Sequence, residues 1–501
     1  MAHADRRKVR LEEYAASGCD VEVEDLGDQA SRVKITPMRS HGGSSGPSRA
    51  GGSGRSQARP AHAASGSHVE NDRYMAAFDA AHEELVIAAG GKPSQPTSAP
   101  RSALSASRKL GNEAGEVPAI APVGQLGGAW LQGPASPEGS THPVSAQPLM
   151  CMSMAADGSE VVVGSSDHAL YVVPLRSSSS ASQSSRGVMV SRGGAKPKTL
   201  YSKKFGHTEW VTCVTHLPDK RIISGGMDSK LCLWDATGVK CEDLVGHSGS
   251  VSLVQCVDDG TVLSAGYDKS IRLWNVGRRA SSRERERAFI KVGSAPILDA
   301  SIFADRLSVV SGDRDGCVHL VDFQQEKVVR KYANAHTGHT TSVLASDGAV
   351  GERSFLSGGQ DGVVRVWDMR QRAAVSTLEL HIDARSGKSG AVGFLRESVE
   401  DPNVVVTGGA DGTIKVLDKR SSYGVLHNFS EHMDFIYSLH LFGQLCFSGA
   451  GNGMLHVHDW KRGKLLYGLG ANQAAVRAIA TSATQLVAAG DDGGVIAYDM
   501  D

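Results

Sequence analysis

Three short stretches of this 501-residue chain carry residue types at spacings that chemistry uses. "GGSSG" (42–46) has the Gly-x-Ser-x-Gly spacing that lifts a nucleophilic serine on a tight turn between strand and helix, and "SGKS" (386–389) ends like a loop that wraps backbone N–H groups around phosphate. His456 and His458 alternate along one strand-like run, where two imidazoles could share a metal. Each stretch fails on its surroundings. GGSSG lies in a Gly/Ser tract with no strand before it, SGKS lacks the upstream glycine, the two histidines have no third ligand in view, and no HExxH occurs. The sequence argues against an enzyme and yields no catalytic residue, no metal site and no cofactor.

Composition narrows the class further. A formal net charge of −1 gives no global field toward nucleic acid or membrane. No apolar run reaches membrane-span length, so no membrane partner is expected. The opening "MAHADRRKVRLEEY" lacks an apolar core and carries Asp5, Glu12 and Glu13, against a secretory or organellar import signal. "RRKVR" (6–10) is too short and too near acidic residues to name a nuclear signal. Eight cysteines (19, 151, 213, 232, 241, 256, 317, 446) form no CxxC pair, and several lie in apolar runs as small hydrophobes. These features predict a reduced compartment, the cytoplasm with the nucleus as an addition.

The chain divides by aromatic content. Of 27 Phe, Tyr and Trp residues, Tyr14, Tyr74, Phe78 and Trp130 precede residue 150 and the other 23 follow it, so one large core is expected from there on. Residues 1–125 read as a mostly disordered arm. Within it, 29–69 hold no Asp or Glu and too little apolar surface to offset ordering entropy. A candidate amphipathic helix follows at 71–89, capped by Asn71, with Tyr74, Phe78, Leu85 and Val86 at near-helical spacing and Gly90 as its stop. A second Pro/Gly/Ser-rich linker runs to about residue 148.

Beyond it the chain repeats. Short β-branched runs separated by an acidic small-residue turn recur at Asp167, Asp228, Asp268, Asp315, Asp361, Asp411, Asn452 and Asp492, in steps of 61, 40, 47, 46, 50, 41 and 40 residues. The long first step holds an insert (176–198, "RSSSSASQSSRGVMVSRGGAKPK"), after which "TLYSKKF" supplies a strand. A period in the low-to-mid forties implies a four-stranded unit repeated around an axis.

"GHTEWVTCVTHLPDKRIISGGMDSKLCLWD" (206–235) and "GHSGSVSLVQCVDDGTVLSAGYDKSIRLWN" (246–275) resemble WD repeats, and the resemblance covers about 70 per cent of the chain. It implies an all-β propeller over 126–501, with eight blades expected and seven the alternative. It also implies buried locking sets of His, Asp, Ser and Trp: His207, Asp228, Ser224 and Trp234; His247, Asp268, Ser264 and Trp274; His339, Asp361, Ser357 and Trp367. In each set a carboxylate fixes an imidazole tautomer, the imidazole meets a hydroxyl, and the hydroxyl accepts the indole N–H. Recurrence in three units assigns them to locking, not catalysis. The other units are degenerate: Leu417 and His458 stand where Trp is expected, and the first, fourth and last lack the Gly-His pair. The last unit stops after its third strand, and "LGGAWLQG" (126–133) is expected to close the ring.

In such a ring the residues before the turn acids, Met227, Tyr267, Arg314, Gln360 and Ala410, line one channel mouth with Trp210 nearby, a mix suited to protein partners. Residues 355–370, ending in Trp367, Asp368 and Arg370, resemble the box of substrate receptors that dock on the damaged-DNA-binding adaptor of cullin-4 ubiquitin ligases. Corresponding positions to Arg370 hold Thr237, Gly277, Arg420 and Lys461, and "WDMR" alone joins the Trp to a base. Arg278 and Arg279 ahead of Ser281 form a candidate basophilic phosphorylation site. The basic residues Arg32, Lys34, Arg39, Arg49, Arg55 and Arg59 offer RNA or an acidic partner a contact, without aromatics for base stacking. The expected function is a non-enzymatic protein-binding scaffold, the alternatives a cullin-4 substrate receptor or RNA binding through the arm.

Overall fold

The computed structural model describes residues 19–25, 31–37, 128–175, 196–201, 204–281, 284–347, 353–382 and 389–500. It divides into two units, Met1–His68 and Val69–Asp501. Residues 176–195 of the 176–198 insert, the candidate helix at 71–89 and GGSSG at 42–46 lie outside the described residues, as does most of SGKS.

The described part of the first unit is an antiparallel strand pair, Cys19–Asp25 with Ser31–Pro37. Its register sets Val21 opposite Ile35, Val23 opposite Val33, Glu22 opposite Lys34 and Glu24 opposite Arg32. The pair places residues 31–37 of the 29–69 stretch in a strand. A composition window beginning at residue 29 hides the two-residue alternation of "CDVEVED" and "SRVKITP", the period a strand pair requires.

The second unit is a ring of eight four-stranded antiparallel blades. Blades 1 to 7 span 149–200, 211–245, 251–291, 297–332, 340–379, 392–429 and 436–470, and blade 8 combines 476–499 with 140–143. The first strand of each blade touches the first strand of the next, and that of blade 8 returns to blade 1, so first strands surround the axis and fourth strands form the rim. Hydroxyls near the start of four first strands latch neighbouring blades: Thr212 donates to the Val251 carbonyl, Ser252 to Ile297, Thr341 to Val392 and Ser438 to Val476.

Burial follows position in the blade. Second strands such as Thr261–Gly266, Leu445–Ala450 and Gln485–Gly490 are buried along their whole length, whereas the rim strand Lys327–Tyr332 alternates. A strand covered on both faces reads as a continuous apolar run, which is why the repeat stands out in the sequence. Eight apolar clusters fill the eight junctions, one between each pair of neighbouring blades. Leu356, Val364 and Val366 of blade 5, for example, meet Val392, Leu395, Val405 and Leu417 of blade 6.

The ring closes elsewhere than expected. Ser140–Pro143, not 126–133, pairs with the last strand, Gly494–Asp499, setting Ser140 opposite Ala497 and Pro143 opposite Gly494. Gly128–Gln132 is instead a short helix whose Trp130 is 2 % exposed. The indole packs 5.1 Å from Phe442 and 5.9 Å from Phe447 and donates Nε1–H to the Ala483 carbonyl at 3.3 Å. "GGAWLQ" has no alternation to sustain a strand, so Trp130 wedges between blades 7 and 8 with Leu131 packed beside it. Proline ends the true closing strand, which is tolerated at a sheet edge. The strand after the insert is present as Lys198–Leu200.

Candidate functional site

The blade-locking network is complete in blade 3. His247 Nδ1 lies 3.0 Å from both Asp268 oxygens, its Nε2 lies 2.6 Å from Ser264 Oγ, and Trp274 Nε1 donates to the same hydroxyl at 2.8 Å. Ser248 N–H, Ser270 N–H and the Ser270 hydroxyl also donate to the carboxylate. Burial pushes the Asp268 carboxyl up, but the His247 bond and these donors hold it below its ordinary value.

Blade 2 repeats the arrangement with one link missing. His207 sits 2.9 Å from Asp228 and 2.8 Å from Ser224, but Trp234 Nε1 is buried without a partner among the described residues. A buried indole N–H that makes no bond costs its desolvation, so removing it loses no hydrogen bond. Trp274→Phe should therefore destabilise the chain by about 1–2 kcal/mol more than Trp234→Phe, read as the difference in denaturation midpoints. Equal losses would show that the indole bond carries no weight.

In blade 5 His336, not His339, occupies the network. His336 lies 3.0 Å from Asp361 and 2.8 Å from Ser357, which also accepts from Trp367 at 2.9 Å. The next residue confirms the equivalence, since Thr337 N–H donates to Asp361 as Thr208 does to Asp228 and Ser248 to Asp268. His339 turns to the Arg314 carbonyl. The Gly-His pair in "AHTGH" misleads because Gly338, at φ +86, belongs to the following turn.

Two partial networks escaped sequence reasoning. His381 lies 2.9 Å from Asp411 and 2.8 Å from Thr407 in blade 6, with Leu417 in the Trp position. His319 lies 2.9 Å from Asp313 in blade 4, whose turn acid Asp315 is exposed. Blade 7 keeps His432 2.7 Å from Ser448 but has Asn452 for the acid, so His432 Nδ1 lacks a partner among the described residues. His456 stacks 4.1 Å from His432, and His458 reaches Glu431 at 3.3 Å. Burial first, then the neighbouring imidazoles, pushes His432 down to about 3.

The channel mouth is built by one repeated backbone bond. The residue before each turn acid donates its N–H to the start of its blade: Met227 to Trp210, Tyr267 to Ser250, Arg314 to Pro296, Gln360 to His339 and Ala410 to Ala391, at 2.8–3.0 Å. Ser166, Gly451 and Asp491 do the same in the remaining blades. Met227 and Tyr267 are only 5 % and 4 % exposed, so they shape the mouth more than they offer surface, whereas Trp210, Arg314 and Gln360 are half-buried.

Arg370 stands at the end of the third strand of blade 5 and folds onto Asp368, with Nε 3.0 Å from Oδ1 and a terminal nitrogen 2.7 Å from Oδ2. The guanidinium holds the Asp368 carboxyl below its ordinary value. Arg420 in blade 6 makes the same fork on Asp418, at 2.9 and 3.2 Å, although Leu417 replaces the Trp. The two side chains are 73 % and 60 % exposed. Lys461, the next equivalent, turns to Glu400 at 2.7 Å. The Ser281 hydroxyl donates to Glu284 at 2.9 Å, and Arg278 is engaged by Asp219 at 3.0 Å. A groove of about 350 Å³ runs between blades 1 and 2, lined by residues that include Tyr201, Phe205, Trp234 and Val239.

The model of the WD domain, G-beta repeat, matches residues 198–235, 238–275 and 330–368. A DDB1- and CUL4-associated factor 11 homolog of Caenorhabditis briggsae is 30% identical over 116 residues, 23% of this chain and 20% of that protein. WD repeat-containing protein 55 of Mus musculus is 22% identical over 159 residues, 31% of this chain and 37% of that protein. The chain thus spans a fifth to under two fifths of these relatives. Among solved structures, Saccharomyces cerevisiae Sqt1 superimposes with a TM-score of 0.60 at 12% identity, over 72% of this chain and 98% of that one. The designed protein Ika8 superimposes with a TM-score of 0.56 at 21% identity, with the same coverage.

Proposed function

We propose, from the premise that this chain is a WD-repeat β-propeller protein, that it is a non-enzymatic scaffold on which protein partners assemble. The observation that carries this is the mouth: one backbone bond, repeated in eight blades, fixes eight equivalent positions around the channel. Three of them or their neighbours, Trp210, Arg314 and Gln360, present the aromatic, cationic and amide groups that dominate protein interfaces. The His-Asp-Ser sets face inward and lock blades, which leaves them no substrate. The test is capture of partners by the intact chain and by a Trp210→Ala, Arg314→Glu, Gln360→Ala variant of unchanged melting temperature. At least a tenfold loss of the main captured proteins is expected. An unchanged set would remove the mouth as the binding face.

A second function, substrate receptor of a cullin-4 ligase, is favoured by a specific observation. Arg370 and Arg420 form the same exposed fork at the ends of adjacent blades. A pair of guanidinia so placed gives an adaptor two bidentate anchors, and planar forks favour carboxylate partners. The similarity to a protein named as a DDB1- and CUL4-associated factor supports it. Arg370→Ala and Arg420→Ala should each weaken adaptor binding about tenfold or more, as loss of a charged hydrogen bond does. Adaptor binding indifferent to both would sink this second function while leaving the mouth untouched. RNA binding through the arm has less support, because its basic residues Arg32, Lys34, Arg39, Arg49, Arg55 and Arg59 lack interleaved aromatics for base stacking.

A further inference from the structure

Three ligand atoms converge on the rim of blade 2, where nothing in the scaffold's function requires them. The third strand, Lys230–Trp234, pairs with the fourth, Cys241–Val245, so that Cys232 is opposite Asp243 and Trp234 opposite Cys241. Residues opposite one another and two apart share a face of the sheet, which puts both thiols and the carboxylate together. Asp243 Oδ1 lies 3.6 Å from Cys232 Sγ and 3.7 Å from Cys241 Sγ, and all three atoms fall within 4.8 Å of one another. Among the described residues this is the group of three that converges so closely.

We propose that Cys232, Cys241 and Asp243 bind a thiophilic divalent cation, zinc, with a fourth position open to solvent. With Zn–S near 2.3 Å and Zn–O near 2.0 Å at tetrahedral angles, the sulfur–oxygen edges would be about 3.5 Å, close to the spacing already present. The carboxylate is divided in the way a ligating one requires: Oδ2 is held by Lys230 Nζ at 2.7 Å while Oδ1 faces the sulfurs. Lys230 is the outer partner that orients the ligand. Cys232 is buried and Cys241 half-buried, whereas Asp243 is exposed and gives the ion a way in.

Binding converts two thiols, one carboxylate and Zn²⁺ into a dithiolate–carboxylate complex and releases two protons, so affinity rises with pH. The ion would pin the rim strand to its neighbour beside the groove lined by Trp234, Gly238 and Val239. Cys241 and Asp243 stand nine and eleven residues after Cys232 and form no familiar sequence motif, which is why the strand register reveals them.

The test is titration of the reduced full-length protein with Co²⁺, followed by displacement with Zn²⁺. One equivalent should bind with thiolate-to-cobalt charge-transfer absorption in the near ultraviolet and about two protons released per ion. Cys241→Ser and Asp243→Asn, neither of them fully buried, should each weaken binding at least about tenfold, with Cys446→Ser as the control that leaves it unchanged. Zinc should raise the melting temperature of the native chain and not that of Cys241→Ser. Absence of the charge-transfer band, or a band that survives both substitutions, would overturn the proposal.

Discussion

Asp268→Ala should cost the propeller about 3 kcal/mol or more, the range for removing one partner of a buried charged network. Its carboxylate accepts from His247, Ser248 N–H, Ser270 N–H and the Ser270 hydroxyl and lies 3.6 Å from the Arg272 guanidinium. The Arg272 side chain, only 9 % exposed, keeps Glu286 at 2.8 Å, so alanine removes one of its two carboxylates and leaves two backbone donors without this acceptor and His247 without its carboxylate. Asp315→Ala, at the turn acid of blade 4, should cost less than about 1 kcal/mol, because the residue is exposed and Asp313 holds His319 instead. Denaturant midpoints of the two variants decide it. Equal losses would mean that the turn acids act through the turn alone and not through the buried network.

Acid should weaken the ring well before its aspartates protonate. Burial is the main cause that pushes His216, His440 and His458 down to about 4 and His432 to about 3. The unfolded chain binds these protons near pH 6.5 and the folded chain does not, so the stability is full above that pH and is lost as the pH falls toward 4. Each such histidine adds a slope of roughly 1.4 kcal/mol per pH unit. The locking carboxylates are shifted down too, Asp361 to about 2, but from a lower ordinary value, so their contribution persists until the pH drops below the ordinary carboxylate range.

Melting temperatures from pH 7.5 to 4.5 should therefore fall steeply below about pH 6. Asn452→Asp should flatten the fall. Asn452 Oδ1 accepts from Met454 N–H as Asp411 accepts from Thr413 N–H, so an aspartate there meets the unpartnered Nδ1 of His432 and stabilises its charged form. A melting temperature constant from pH 7 to 5 would contradict this.

What the sequence disclosed tracks the physics of each element. The second strands are covered on both faces, so their apolar runs announce eight units and the ring they form. Ser264, Asp268 and Trp274 lie at fixed offsets inside one hairpin, so their relation survives in linear spacing. His336 does not, because its distance from Asp361 includes a loop whose length the register alone resolves. The same holds for His381, separated from Asp411 by 30 positions across residues 383–388. Ser140–Pro143 is four residues long and mostly polar at the ring's edge, too little pattern to compete with an aromatic decoy such as Trp130. The Arg420 fork was obscured by Leu417, since the fork needs the aspartate and the arginine but not the indole.

The most direct measurement is backbone hydrogen–deuterium exchange on the full chain, free and with a captured partner or the cullin-4 adaptor bound. Protection should appear on the mouth segments around Trp210, Arg314 and Gln360 for a scaffold partner, and at Asp368–Arg370 and Asp418–Arg420 for the adaptor. Protection confined to the rim strands, or to residues 1–125, would contradict a propeller whose faces are the binding surfaces.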